Sequence, residues 1–118
     1  MQTSIQPLRS VAPLPRATRK LAVLNRNGLH ARPSAELVRC VRSTRSEVWF
    51  VTETERIRAD RIMEILLANL TYGAQFTVEA EGADATEAIN KIERVLDLLK
   101  NAEYEIAKLT YPDRDFSE

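Results

Sequence analysis

Between Phe76 and Glu81 the chain alternates strictly, with Phe76, Val78 and Ala80 apolar and Thr77, Glu79 and Glu81 polar. A strand written this way buries one face and wets the other. Read as a helix, the same residues would scatter their apolar groups around the axis. The dry face needs a cover, and the next segment supplies one. Ala85, Ala88, Ile92, Val95, Leu96 and Leu99 recur at helical spacing, behind Asp84 as an acidic cap with Glu87 three residues on, a variant of the capping box. A half-dry sheet with a helix laid over it is the frame into which the remaining elements must fit.

Those elements are short. Leu21 and Val23 alternate with Ala22 and Leu24, predicting a strand that runs into the turn-prone Asn25-Arg26-Asn27-Gly28. From Ala31 to about Ser43 the positions Leu37, Val38 and Val41, extended toward the N-terminus by Ser34 and Ala31, predict a helix with Cys40 off its stripe. Pro33 fits only a first turn, where the amide it lacks has no intrahelical partner, and so sets the helix start near His30 or Ala31. Glu47 to Thr52 reads as a strand, Thr52 to Glu55 as a turn and Arg56 to Arg58 as a return strand. Asp60 is placed to cap a short helix from Ile62 to about Asn69. The order strand, helix, strand, strand, short helix, strand, long helix gives an α+β open-faced β-sandwich, a four-stranded sheet with three helices on one face. Its outer face would show Trp49, Val51, Ala22 and Leu24, more apolar than solvent requires. A terminal tail or self-association of two copies is expected to cover it.

A length of 118 residues suits one domain with one core. Proline-punctuated residues 1–18 read as a basic flexible tail, 19–100 as the domain and 101–118 as a C-terminal extension. Tyr104, Ile106, Ala107 and Leu109 could prolong the last helix in that extension before Pro112 ends it. Basic and acidic residues number 17 each, which argues against a general grip on nucleic acid. The balance hides an asymmetry, since no acid precedes Glu36 while Arg9, Arg16, Arg19, Lys20, Arg26 and Arg32 do. Cys40 is the single cysteine, so there is no internal disulfide and no thiolate metal site, and a reducing cytoplasm fits. No run approaches the ~18 apolar residues of a membrane helix.

The one histidine falls in Asn27-Gly28-Leu29-His30-Ala31-Arg32-Pro33, where the strand has ended and the helix begins. A lone histidine in an arbitrary chain is more often a structural or surface polar residue, but these neighbours favour an anion. A helix N-terminus presents unpaired amides and the positive end of the dipole, and Arg32 adds a planar fork of donors suited to phosphate oxygens. A neutral imidazole nitrogen is a competent nucleophile, and a phosphoryl group on it would be stabilised by those same donors. No glycine-rich phosphate loop, Gly-x-Ser-x-Gly or metal-ligand set accompanies it. The stretch can hold a group and hand it on, and no cofactor or metal is called for.

Asn27-Gly28-Leu29-His30-Ala31-Arg32-Pro33-Ser34-Ala35 resembles the active-site signature of HPr, the histidine-containing phosphocarrier of the bacterial phosphotransferase system. The likeness runs from about Lys20 to Lys100, and Ala80-Glu81-Gly82-x-Asp84 with the following helix is similar to the family's last strand and helix. The resemblance implies a carrier with a phosphohistidine intermediate rather than a stand-alone enzyme. His30 would be phosphorylated on its δ1 nitrogen by enzyme I, which draws on phosphoenolpyruvate, and would pass the group to an EIIA-type partner in sugar uptake or a regulatory relay, while Arg32 neutralises charge. It further implies docking through Leu29, Ala31 and Ala35 on one side and Ile62, Met63 and Leu66 on the other, although the plainer reading of Met63 and Leu66 is core and at least one of them is expected there. Where many members carry a regulatory serine in Lys-Ser-Ile-Met, this chain has Asp60-Arg61-Ile62-Met63, so Arg61 stands at that position and control by HPr kinase is expected to be missing. Two rivals stay open. One is a partner-binding regulator that has kept the fold without the chemistry, for which His30 would be dispensable. The other is an RNA-binding α/β module, for which only Trp49 could stack a base, with Glu79 on the same face.

Overall fold

The computed structural model describes residues 13–110, and the element order is β1 (Arg16–Ala22), α1 (Ala31–Arg42), β2 (Ser46–Val51), β3 (Arg56–Arg58), α2 (Ile62–Ala68), β4 (Gln75–Gly82) and α3 (Ala85–Thr110). Residues 1–12 and 111–118, with most of the expected tail and the expected stop at Pro112, lie outside the described residues. The strands form one antiparallel sheet in the order β1-β4-β2-β3, and the helices pack on it as an open-faced α+β sandwich.

β4 is central because its alternation is clean. Phe76, Val78 and Ala80 are buried, opposite Leu21, Arg19 and Ala17 of β1, and Val78 and Ala80 also face Phe50 and Val48 of β2. Phe50 and Phe76 meet at 4.9 Å between ring centroids, and Ile57 of β3 completes the layer opposite Phe50. Leu37, Val38 and Val41 of α1, Ile65 of α2 and Ala85, Ala88, Ile89, Ile92 and Leu96 of α3 close the core from above.

β1 departs from expectation at both ends. It starts at Arg16, taking in three residues assigned to the tail, and it stops at Ala22, so Val23 and Leu24 lie past it. The reason is that β1 is an edge strand whose outward residues Arg16, Thr18 and Lys20 are polar. Its inward Arg19 is bonded at the sheet's margin to Asn90 and Glu93 of α3, at 2.9 and 2.7 Å. Polar residues on both faces hide a strand from any search for apolar alternation. α3 likewise crosses the boundary set at residue 100 without a break.

The outer face carries its own cover. Arg56 and Arg58 of β3 lie over the Trp49 ring, at 4.1 and 5.7 Å from its centroid, and Arg56 also pairs with Glu79 at 3.3 Å. Guanidinium on indole shields the ring without burying a charge. Leu24 lies past the end of β1 and lines a groove with Leu96 and Asp97 of α3. Trp49 is thus covered from within the sheet by its own neighbours on β3.

Asp84 does something other than the expected capping box. Its carboxylate accepts the Ser46 hydroxyl at 2.6 Å and the Arg45 amide at 3.0 Å, tying the start of α3 to the start of β2. These two bonds, the Ser46 hydroxyl first, hold the Asp84 carboxyl below its ordinary value. A depressed folded value means that the tie contributes stability above the unfolded pKa of ~3.9 and loses it as pH falls through the folded value. Asp84→Asn should thus be less stable than the wild type at neutral pH. The gap should narrow below about pH 4 in urea titrations run across pH, and a gap that stays constant down to acid pH would rule the tie out as a source of acid lability.

Candidate functional site

His30 occupies the position just before α1, with extended backbone angles of φ −78° and ψ −169°. Its carbonyl accepts the Ser34 amide at 3.0 Å, the first turn of the helix. The imidazole makes no capping bond to the helix and the residue is exposed, so the side chain is presented outward beside the helix end. Pro33 is buried in the first turn, as its missing amide predicts. The first turn contains no acidic residue, so nothing within it offsets the positive pole. Arg32 is exposed, and among the described residues it makes no ion pair.

The approach to His30 is held at several points. Gly28 has φ +73°, and a Cβ there would come within 2.7 Å of the Leu70 carbonyl oxygen, so both the backbone sign and the space require glycine. Leu29 donates its amide to that same Leu70 oxygen at 2.8 Å and accepts the Ser34 hydroxyl on its own carbonyl at 2.9 Å. Ser34 is fully buried, which makes its hydroxyl bond part of the loop's frame rather than a surface contact. Val23 is joined to the neighbouring loop in both directions, to Ala74 and from Gly73, each at 2.9 Å.

The residues implied as a docking surface do not all reach it. Leu29 is 4% exposed and belongs to the core, so it is a peg and not a contact, a correction that follows from its side chain pointing inward between His30 and the pinned turn. Ala31 is exposed and Ala35, Ile62 and Leu66 are half-buried. Met63 is 61% exposed, and the core residue of α2 is Ile65. Two further exposed apolar residues were left out of the sequence reading, Leu67 at 78% exposure and Tyr72 at 53%. Leu67 could have been found from its place one helical turn after Met63. Both flank Leu70, whose carbonyl pins the His30 loop.

Asp60 does not cap α2. Its carboxylate accepts Arg58 at 3.0 Å, its carbonyl accepts Arg42 at 2.9 Å, and Arg61 takes the cap position without a side-chain cap bond. Arg61 instead pairs with Glu64 at 3.2 Å. Glu64 also accepts the Arg58 amide at 2.9 Å, and this bond, followed by the contacts with Arg61, holds its carboxyl below the ordinary value. Cys40 is half-buried against the core, and burial pushes its thiol up. No group of three or more metal-ligating side chains occurs among the described residues, and no helix among them is long and apolar enough to cross a membrane.

Removing the Ser34 hydroxyl should leave the buried Leu29 carbonyl short of a partner and cost about 1–2 kcal/mol. Urea denaturation of Ser34→Ala measures this, and an unchanged midpoint would mean that the loop is held without it.

Residues 17–97 match the family model described as PTS HPr component phosphorylation site. The chain is 36% identical over 73 residues to phosphocarrier protein HPr of Treponema pallidum (strain Nichols), covering 62% of this chain and 83% of that relative. It is 35% identical over 75 residues to phosphocarrier protein NPr of Proteus mirabilis (strain HI4320), covering 63% and 83%. Among solved structures, HPr-C-His from Thermoanaerobacter tengcongensis is similar at a TM-score of 0.68 with 27% identity, over 72% of this chain and 96% of that one.

Proposed function

The chain belongs to the HPr family of phosphocarriers of the phosphotransferase system, and from that premise we propose that His30 is the residue that accepts and donates the phosphoryl group. The observation that carries this reading is the outward imidazole at the start of α1, beside a first turn free of acid and an exposed Arg32.

In the forward step a ring nitrogen of neutral His30 attacks the phosphorus of a phosphohistidine on the donor protein, enzyme I. The new nitrogen–phosphorus bond forms as the donor's breaks, and the donor imidazole leaves with its electron pair. Transfer to the EIIA-type acceptor repeats the exchange with His30 as the leaving group. Charge on the three equatorial oxygens is what the site must stabilise. The first-turn amides of Ala31 and Arg32, which have no intrahelical carbonyl to bond, and the Arg32 guanidinium are the donors at hand. Ala31, Ala35, Ile62, Met63 and Leu66, with the exposed Leu67 and Tyr72, are the apolar residues around which partners dock.

The test is transfer of labelled phosphate from phosphoenolpyruvate through enzyme I of the same organism. The wild type should take up an acid-labile, base-stable label and His30→Ala should take up none. Label on His30→Ala, or none on the wild type with active enzyme I, sinks the assignment and favours a docking regulator that has kept only the fold.

Sugar uptake and a regulatory relay use the same chemistry at His30, and Arg61 supports a carrier outside serine-based control. Its guanidinium, paired with Glu64, offers no hydroxyl at that position. HPr kinase should therefore move no label from ATP to this protein, and stoichiometric labelling would overturn the point.

A further inference from the structure

α1 and α3 pack against each other and run antiparallel, and the Arg45 amide on the Asp84 carboxylate fixes the end of one level with the start of the other. From position 84 to position 97 and from position 43 back to position 30 the residue count is the same, a rise of about 20 Å in each case at ~1.5 Å per residue. Asp97 thus stands level with His30. Independent geometry agrees, because Leu96 and Asp97 line one groove with Leu24 and Gln75, at the end of the sheet from which the chain leaves for the His30 loop. α3 does not stop there. It continues to Thr110, so residues 98–110 carry its backbone about another 20 Å past the level of His30. At the root of this overhang Leu98 is 60% exposed.

A protein that exchanges a phosphoryl group with His30 must seat its surface on the start of α1. A standard interface buries ~800 Å² on each partner, a disc of about 16 Å radius. Packed helices lie ~8–10 Å apart, so the overhang of α3 rises well inside a disc centred on His30. The partner has to receive it.

We propose that residues 98–110 are a docking arm, a helical segment that contacts the phosphoryl donor protein while its phosphohistidine meets His30. The donor must then carry a surface that accepts a helix alongside its own active histidine. This rests on His30 as the acceptor.

The proposal is tested by kinetics of labelling from phosphoenolpyruvate and enzyme I of the same organism, on the full chain and on a chain ending at Asn101. The shortened chain should show a KM for enzyme I raised about tenfold, with kcat, the rate of spontaneous phosphohistidine hydrolysis and Tm unchanged. In the full chain, backbone amide signals of residues 102–110 should shift or broaden when unphosphorylated enzyme I is added. Equal KM values with those signals unmoved would overturn the arm alone. A fall in Tm with those signals unmoved would overturn it in favour of a purely structural extension. Failure of both chains to take label would bring down the reading of His30 itself.

Discussion

Leu29 is where the His30 loop is attached to the fold. Its side chain is in the core, its amide is bonded to the Leu70 carbonyl, and its carbonyl is bonded to the buried Ser34 hydroxyl. Three constraints on one residue leave the next with little backbone freedom, and the next is His30. An exposed side chain keeps a defined position only if the segment behind it is fixed. Gly28 makes the arrangement possible, because any side chain at that position would push the Leu70 carbonyl away and take the Leu29 amide bond with it.

The same constraint ties the His30 loop to the segment that follows α2. Leu70 receives the Leu29 amide, and Val23 exchanges bonds with Gly73 and Ala74, so the turn before α1 and the turn before β4 form one unit. Exposed Tyr72 lies on that unit, and exposed Leu67 sits at the end of α2 just before it.

How much of this could be read from residues alone depends on whether a position is set by local or by distant partners. β4, α1 and the place of His30 were legible, because alternation, helical spacing and the demand of Pro33 for a first turn act within a few residues. β1 was misplaced because its inward Arg19 is satisfied by Asn90 and Glu93, seventy or more positions away. Asp84 and Asp60 both look like helix caps, and each gives its carboxylate to a distant or neighbouring donor instead. A carboxylate before a helix has several donors within reach once the chain is folded, and spacing cannot rank them. Leu29 belongs to the same class, since a leucine in a loop can face in or out, and only the pinned turn decides.

Overall neutrality does not spread evenly over the surface, because the acids are committed to particular cations. Glu36 is four residues after Arg32, a spacing at which a helical ion pair would form readily. It is bonded instead to Arg39 at 3.1 Å. Glu93 serves Arg19, Glu79 serves Arg56, Glu81 serves Arg16, and Asp60 and Glu64 serve Arg58 and Arg61. Each exposed pair contributes at most about 1 kcal/mol, so these pairings matter less for stability than for where they leave positive charge uncompensated. Arg32 at the start of α1 is one such place among the described residues, since it makes no ion pair and the first turn around it holds no carboxylate.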